Sequence, residues 1–288
     1  VPVYGNYYQT GRNAEKEVEM TLFDKEGTLL LSQSCGFRVY GAMSRMKNQP
    51  SFRLYARSEY DEVLNDFEYT FFPDQYTAEN TVQADYKRVI VRNSGNDNGY
   101  GFIRSELATR IAKEAGVKDT PSASPVCVYL NGQYYGVHWF ISNFDDSYFR
   151  ESYGEYPGEM YVFEGKVQEL DVEGHEDDST YVALLEEYNE IMALLGNADL
   201  TREENWQKLN SFMDVDNFLR YTAIQHYVSN QDSLFHNYRV YRYYSPTGEY
   251  IPGTVFDGKF RLLLFDMDFA LGLIPQWSYV EPETYTLT

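Results

Sequence analysis

From Glu17 to Phe23 apolar and polar residues alternate, and an apolar run, Thr28 to Leu31, follows across Lys25-Glu26-Gly27. Period-two alternation broken by turn residues predicts an N-terminal β-hairpin. Gly36 to Tyr40 and Phe52 to Arg57 repeat the strand pattern, and Arg88-Val89-Ile90-Val91 reads as a short buried strand. Asn93-Ser94-Gly95-Asn96-Asp97 is made of turn and cap residues, and reads as an Asx-type turn capping the next helix in preference to the alternative, a loop covering a nucleotide. That helix is predicted from about Phe102 to Ala115. Its apolar face is Phe102, Ile103, Leu107, Ile111 and Ala112, and Gly116 follows as a C-terminal cap.

Val126 to Leu130 and Gln133 to Phe140 flank Asn131-Gly132, a pair that favours a type I′ turn, so a tight hairpin is expected here. The pattern then changes to helical spacing. Leu184, Leu185, Tyr188, Ile191, Met192 and Leu195 share one side of Tyr181–Leu195, with Gly196 as its stop. Thr201-Arg202-Glu203-Glu204 fits a capping box opening a helix with Trp206, Leu209 and Phe212. A further helix runs from about Asn217 to Val228. A last hairpin pairs a strand from about Asn237 to Tyr244 with one from about Lys259 to Phe265, across Ser245-Pro246-Thr247-Gly248. Strands dominate the first half and helices plus a hairpin the second. This predicts an α+β, bilobal architecture in a single domain over 1–288, with a strand-rich lobe to about 145 and a helical lobe after it. Tyr285-Thr286-Leu287-Thr288 offers no closing strand or helix, so the domain is expected to continue past it.

Composition narrows the function. The chain has 288 residues and a formal net charge of -20. A nucleic-acid partner requires clustered Lys and Arg, so none is expected, nor is docking on an anionic membrane. No apolar run is long enough to span a bilayer. The two cysteines, Cys35 and Cys127, are too few for a disulfide framework; they read as small hydrophobes buried in strands or, alternatively, as one bridge. The 28 tyrosines suit a wet, ring-lined surface or a binding face for glycan or protein.

The candidate chemistry gathers at the last hairpin. Antiparallel pairing sets the start of one strand beside the end of the other, so Asp232, Asn237 and Asp266 should meet at one end of it. Hard divalent cations want such oxygen ligands. Asp268 is a second ligand or a cap for Phe269-Ala270-Leu271-Gly272. Asp232 and Asn237 have the D-x-x-x-x-N spacing of a protein-kinase catalytic loop, in which the Asp is the base and the Asn holds metal. An Asp-x-Asp after an apolar strand also suits a metal-dependent glycosyltransferase. Arg38 and Arg45 flank Gly41 and are candidate phosphate contacts or surface arginines. No Walker loop, G-x-G-x-x-G or G-x-S-x-G is present, and the four His have no ligand spacing.

A set of motifs in order resembles the spore-coat-protein-H-like (CotH) kinases. They are Phe37-Arg38-Val39-Tyr40-Gly41-Ala42-Met43-Ser44-Arg45, Ser51-Phe52-Arg53-Leu54-Tyr55-Ala56-Arg57 and Arg92-Asn93-Ser94-Gly95-Asn96-Asp97. Val128-Tyr129-Leu130-Asn131-Gly132-Gln133-Tyr134-Tyr135-Gly136-Val137, the Asp232–Asn237 stretch and Phe265-Asp266-Met267-Asp268 complete the set. The resemblance implies an atypical kinase-like fold that binds ATP with Mg²⁺ or Mn²⁺ and phosphorylates a protein hydroxyl, notably serine, outside the cytoplasm. It implies Asp232 as the catalytic or metal-proximal acid, Asp266 as a metal ligand and Asn237 as a second one. Two positions depart from the family pattern. Pro50 stands where a lysine is expected, and Ser142 stands where a glutamate is expected six residues after Gly136. The lysine resembles the kinase residue that grips ATP phosphates. Losing both members of such a pair avoids a stranded charge. Lys47, Lys87 or Lys166 is the candidate substitute, and a non-catalytic, pseudokinase-like scaffold is the competing expectation.

Overall fold

The computed structural model describes residues 8–41, 43–166, 169–171, 178–232 and 238–273. The chain is α+β and divides into two compact units, Val1–Ile103 with Pro121–Glu155, and Arg104–Thr120 with Tyr156–Thr288. The helical segment after Ile103 thus belongs to the second unit, although the chain returns to the first unit after it.

In the first unit, β1 (Lys16–Phe23), β2 (Leu29–Val39), β3 (Phe52–Tyr55), β6 (Arg88–Arg92), β7 (Ala123–Leu130) and β8 (Gln133–Ile141) form one sheet, in the order β1-β2-β3-β6-β8-β7. Every pairing in it is antiparallel. The strands expected at Thr28–Leu31 and Gly36–Tyr40 are one strand. The polar run Ser32-Gln33-Ser34 hides this in the sequence, because Gln33 occupies a buried position of the apolar face. Residues two apart, and residues directly paired, share a face. One face therefore carries Met20, Leu31, Cys35, Phe52, Leu54, Val89, Val91 and Phe140, all buried. It is covered by Phe67 of β4 (Phe67–Glu68), Tyr86 of β5 (Asp85–Tyr86), and Phe71 and Phe72 between them. The Phe71 ring lies 4.8 Å from Phe140 and 5.5 Å from Tyr86. Asn131 and Gly132 have φ of 50° and 77°, as a type I′ turn requires. Cys35 and Cys127 are unbridged thiols; Cys35 is buried but Cys127 is exposed on β7, which corrects the expectation that both are buried.

In the second unit, β9 (Glu159–Lys166), β10 (Glu169–Asp171), β11 (Tyr238–Tyr244) and β12 (Arg261–Leu263) make a sheet in the order β10-β9-β11-β12. The expected last hairpin is present, with Arg239 paired to Leu263 and Tyr241 to Arg261. Its return strand is shorter than expected. Helices α1 (Arg104–Glu114), α3 (Ser179–Asn197), α4 (Glu203–Phe212) and α5 (Val215–Tyr227) belong to the same unit, while α2 (Asp146–Tyr153) belongs to the first. Phe163, Tyr181, Tyr188, Ile191, Leu209, Ile224, Phe260 and Leu264 are buried together as its core.

Three local expectations change. Helix α1 starts at Arg104, because Phe102 has φ of 61°, and its buried face is Ser105, Ala108, Thr109 and Ala112. Ile103 and Leu107 are exposed. The small residues are the ones that allow close packing here, so the large apolar side chains misled the reading. Gly116 does cap α1: its N–H reaches Lys113 O at 3.0 Å and that of Val117 reaches Ala112 O at 3.0 Å, a Schellman arrangement. The capping box at Thr201 is not formed; its hydroxyl donates to Asp199 instead, and α4 begins with Arg202 as N-cap without a side-chain cap bond. Gly196 does not stop α3, which runs on to Asn197.

Candidate functional site

Helix α5 is fastened to β12 at its start and to the segment after β12 at its end. At its start Asp214 accepts the N–H of Asn217 at 3.0 Å and pairs with Arg261 of β12 at 3.0 Å. Asn217 donates to Leu262 O at 3.1 Å and accepts Leu262 N–H at 2.7 Å. At its end Ser229 N–H donates to His226 O and Asn230 N–H to Gln225 O, both at 3.0 Å. This is again a Schellman motif, but Ser229 rather than glycine takes the left-handed position, with φ of 49°.

That turn delivers Asp232 to the segment after β12. Leu271 N–H donates to Val228 O at 2.8 Å, and Asn230 Nδ2 lies 3.3 Å from Met267 Sδ. Met267 and Asp268 are buried, at 0% and 1% exposure, whereas Asp266 and Asp232 are half-buried. The end of α5 that precedes Asp232 and the segment that carries Asp266 and Asp268 are therefore tied together through Val228, Asn230, Met267 and Leu271. Asp266 adopts φ of 50°. An L-residue in that region costs about 1 kcal/mol, and such strain collects at functional positions. Asn237 lies outside the described residues.

Carboxylate oxygens are the donors that a hard cation takes. Among the described residues no group of three or more His, Cys, Asp or Glu is placed to hold a metal ion. Mg²⁺ does not need one, since it commonly uses one or two carboxylates with water and phosphate oxygens completing its shell. Asp266 and Asp232 are accessible enough for that role. Asp268 is sealed from solvent at 1% exposure, which fits a support for the segment better than an outer ligand.

The other candidates lie in the first unit. Arg45 donates from Nε to Gly41 O and from Nη1 to Gln9 O at 3.0 Å, which holds the Met43–Met46 turn against the chain before it. Lys87 is ion-paired with Asp66 at 2.8 Å and also donates to Asn65 O at 3.2 Å. It thus reaches the chain before β4, which helps cover the apolar face. Arg38 lies on the opposite face of the sheet. Its guanidinium sits 4.9 Å from the Tyr55 ring and donates to the Tyr55 hydroxyl. Lys47 is exposed.

Asn93 is buried in a closed network: Ser51 Oγ donates to its Oδ1 at 2.9 Å, Gly95 N–H to the same oxygen at 3.0 Å, and its Nδ2 to Gln49 O at 2.8 Å. Asp97 accepts Gly101 N–H at 3.0 Å and Ile103 N–H at 2.9 Å. The Asn93–Asp97 loop therefore has the structural role expected of an Asx turn. At the two departing positions, Pro50 contributes a carbonyl that accepts the Tyr135 hydroxyl at 3.4 Å. Ser142 is buried and its Oγ accepts Ser122 N–H at 2.9 Å. Neither position carries charge.

The sequence reading assigned no role to Arg53, Tyr55, Arg57 and Arg88, which gather on the Arg38 side of the sheet. The guanidinium of Arg57 lies 4.7 Å from the Tyr55 ring and that of Arg88 lies 5.8 Å from it. Arg53 Nη1 lies 3.4 Å from the Tyr55 hydroxyl. The signal was present as the parity of Arg53, Tyr55 and Arg57 in one strand pattern.

No curated protein matches this chain. A family model does: that of the CotH kinase protein, over residues 37–286. The match takes in both units, the Arg38–Arg45 segment and the Asp232 and Asp266 turns. By that match over nearly its whole length, the chain belongs to the CotH kinase family.

Proposed function

We propose that this protein transfers a phosphoryl group from ATP to a protein hydroxyl, serine in preference, using Mg²⁺ or Mn²⁺, on an atypical bilobal kinase-like fold. The observation that carries the reading is the tie between the end of α5 that precedes Asp232 and the Asp266–Asp268 segment in the second unit, in a chain of this family. Asp266 is the metal ligand, with Asn237 as a second one, and buried Asp268 supports the segment. Asp232 orients or deprotonates the acceptor hydroxyl. The bound metal would neutralise charge on the phosphates, and the rest of the rate gain comes from positioning. Arg38, Arg45 and Lys87 are the first unit's candidate phosphate ligands. Of these, Arg45 and Lys87 already hold neighbouring chain. We assign the protein to an extracytoplasmic setting, with a protein substrate or surface partner and no nucleic acid.

A second reading is favoured by Pro50 and Ser142. Both serve the fold through uncharged contacts, as in a scaffold that retains the architecture without the chemistry. Transfer of labelled γ-phosphate to a serine-rich protein mixture separates the two. The kinase reading expects incorporation that needs divalent metal and falls at least about 100-fold in Asp232→Asn, as for loss of a catalytic base. Metal-independent labelling, or full labelling by Asp232→Asn, would contradict it. No labelling by a folded wild type favours the scaffold.

A further inference from the structure

On the polar face of the first unit's sheet, arginines stand on three adjacent strands. Arg38 on β2 is directly paired with Arg53 on β3, and Tyr55 with Arg88 on β6. Like charges opposite each other on paired strands are destabilising. Here two of them are kept side by side in a protein of net charge -20. Where a sequence breaks a local rule in this way, function is the usual reason.

The arginines differ in their partners, Arg53 lying 4.4 Å from the Tyr40 ring. Arg57 is paired with Glu15 at 2.9 Å, and Arg88 with Asp145 at 2.7 Å. Arg38 has no carboxylate partner among the described residues; its contacts are the Tyr55 hydroxyl and ring. Tyr55 is 3% exposed and cannot move away. Its ring and hydroxyl hold Arg38, with Arg53 beside it, as a fixed, half-buried cationic fork. A planar guanidinium held in place binds a phosphate through paired N–H donors at little further entropic cost.

We infer that Arg38 and Arg53, held by Tyr55, form a phosphate-binding fork for a polyphosphate ligand, and that they replace the charge absent at Pro50. This rests on the nucleotide reading for the ligand's identity, but not for its chemistry. Arg38 and Arg53 are the binding residues and Tyr55 is a positioning residue.

The test is calorimetric titration of the whole chain at low salt with two probes, metal-free inorganic tripolyphosphate and ATP with Mg²⁺. We expect wild type to bind tripolyphosphate and Arg38→Gln to lose about tenfold in affinity, the scale of one charge-assisted hydrogen-bond pair. Tyr55→Phe keeps the ring but not the hydroxyl and should lose about threefold, with an unchanged melting curve. Arg38→Lys should recover only part of the loss, since it restores charge without the fork. Equal tripolyphosphate affinity in wild type, Arg38→Gln and Tyr55→Phe overturns the inference. So does a wild type that binds Mg·ATP but not tripolyphosphate, which leaves the nucleotide reading standing. Tripolyphosphate binding that weakens in Arg38→Gln, without any Mg·ATP binding, supports the fork and removes the nucleotide reading. A wild type that binds neither overturns both.

Discussion

At the residue scale, conformation and burial set what each side chain can do. Asp266 occupies left-handed backbone at φ of 50°, a region that Asn tolerates nearly as well as Asp and Ala does not. Asp266→Asn should therefore fold with an almost unchanged melting temperature, while Asp266→Ala should lose about 1 kcal/mol in denaturant unfolding. His138 behaves differently. It is fully buried, stacked on Tyr135 with ring centroids 5.4 Å apart. Burial lowers its pKa, with backbone groups of Gly136, Pro50 and Gln49 pulling the other way. The folded protein therefore holds His138 neutral where the unfolded chain would protonate it. Its contribution is complete above the ordinary imidazole value of about 6.5 and is lost as pH falls below it. Melting temperature should drop between pH 6.5 and 5, and the drop should be smaller in His138→Phe, which keeps the stacked ring. An unchanged pH slope in that variant would reject His138 as the source. Cys35, by contrast, has its thiol pushed up to about 12 by burial and is inert as a nucleophile.

At the scale of elements, the strands and turns were more legible than the helix faces. Period-two alternation and Asn131-Gly132 report geometry directly, because parity and positive φ are local properties. The buried face of α1 was not legible, since Ser105, Ala108, Thr109 and Ala112 face inward for their small size while Leu107 is left outside. Strand β9 pairs along the whole of β11, yet it follows Pro157-Gly158 and no hairpin signal announces so distant a partner. The last hairpin was legible because turn residues separate its two strand patterns, whereas the Arg38–Arg53 pairing depends on how β2 meets β3 across an irregular connection. The end of α5 offers a direct check. Ser229 sits in a C′ position that glycine occupies without strain. Ser229→Gly should raise stability by up to about 1 kcal/mol. A destabilised variant would show that the serine side chain, rather than the backbone turn, holds this end.

At the scale of the molecule, two cores, one under the six-stranded sheet and one between helices and the four-stranded sheet, carry a chain with net charge -20. Self-repulsion of that size destabilises the compact state and is screened by salt. Thermal stability should rise between about 20 and 200 mM NaCl, and a flat response would indicate that local pairing such as Arg261 with Asp214 and Asp257 already absorbs the charge. The central claim, a metal-assisted nucleotide site built on Asp266, is tested most directly by calorimetric titration of ATP with and without Mg²⁺ into wild type and Asp266→Asn. The account predicts binding that requires the metal in wild type and disappears in the folded variant. Equal binding by both proteins, or binding indifferent to metal, would contradict it.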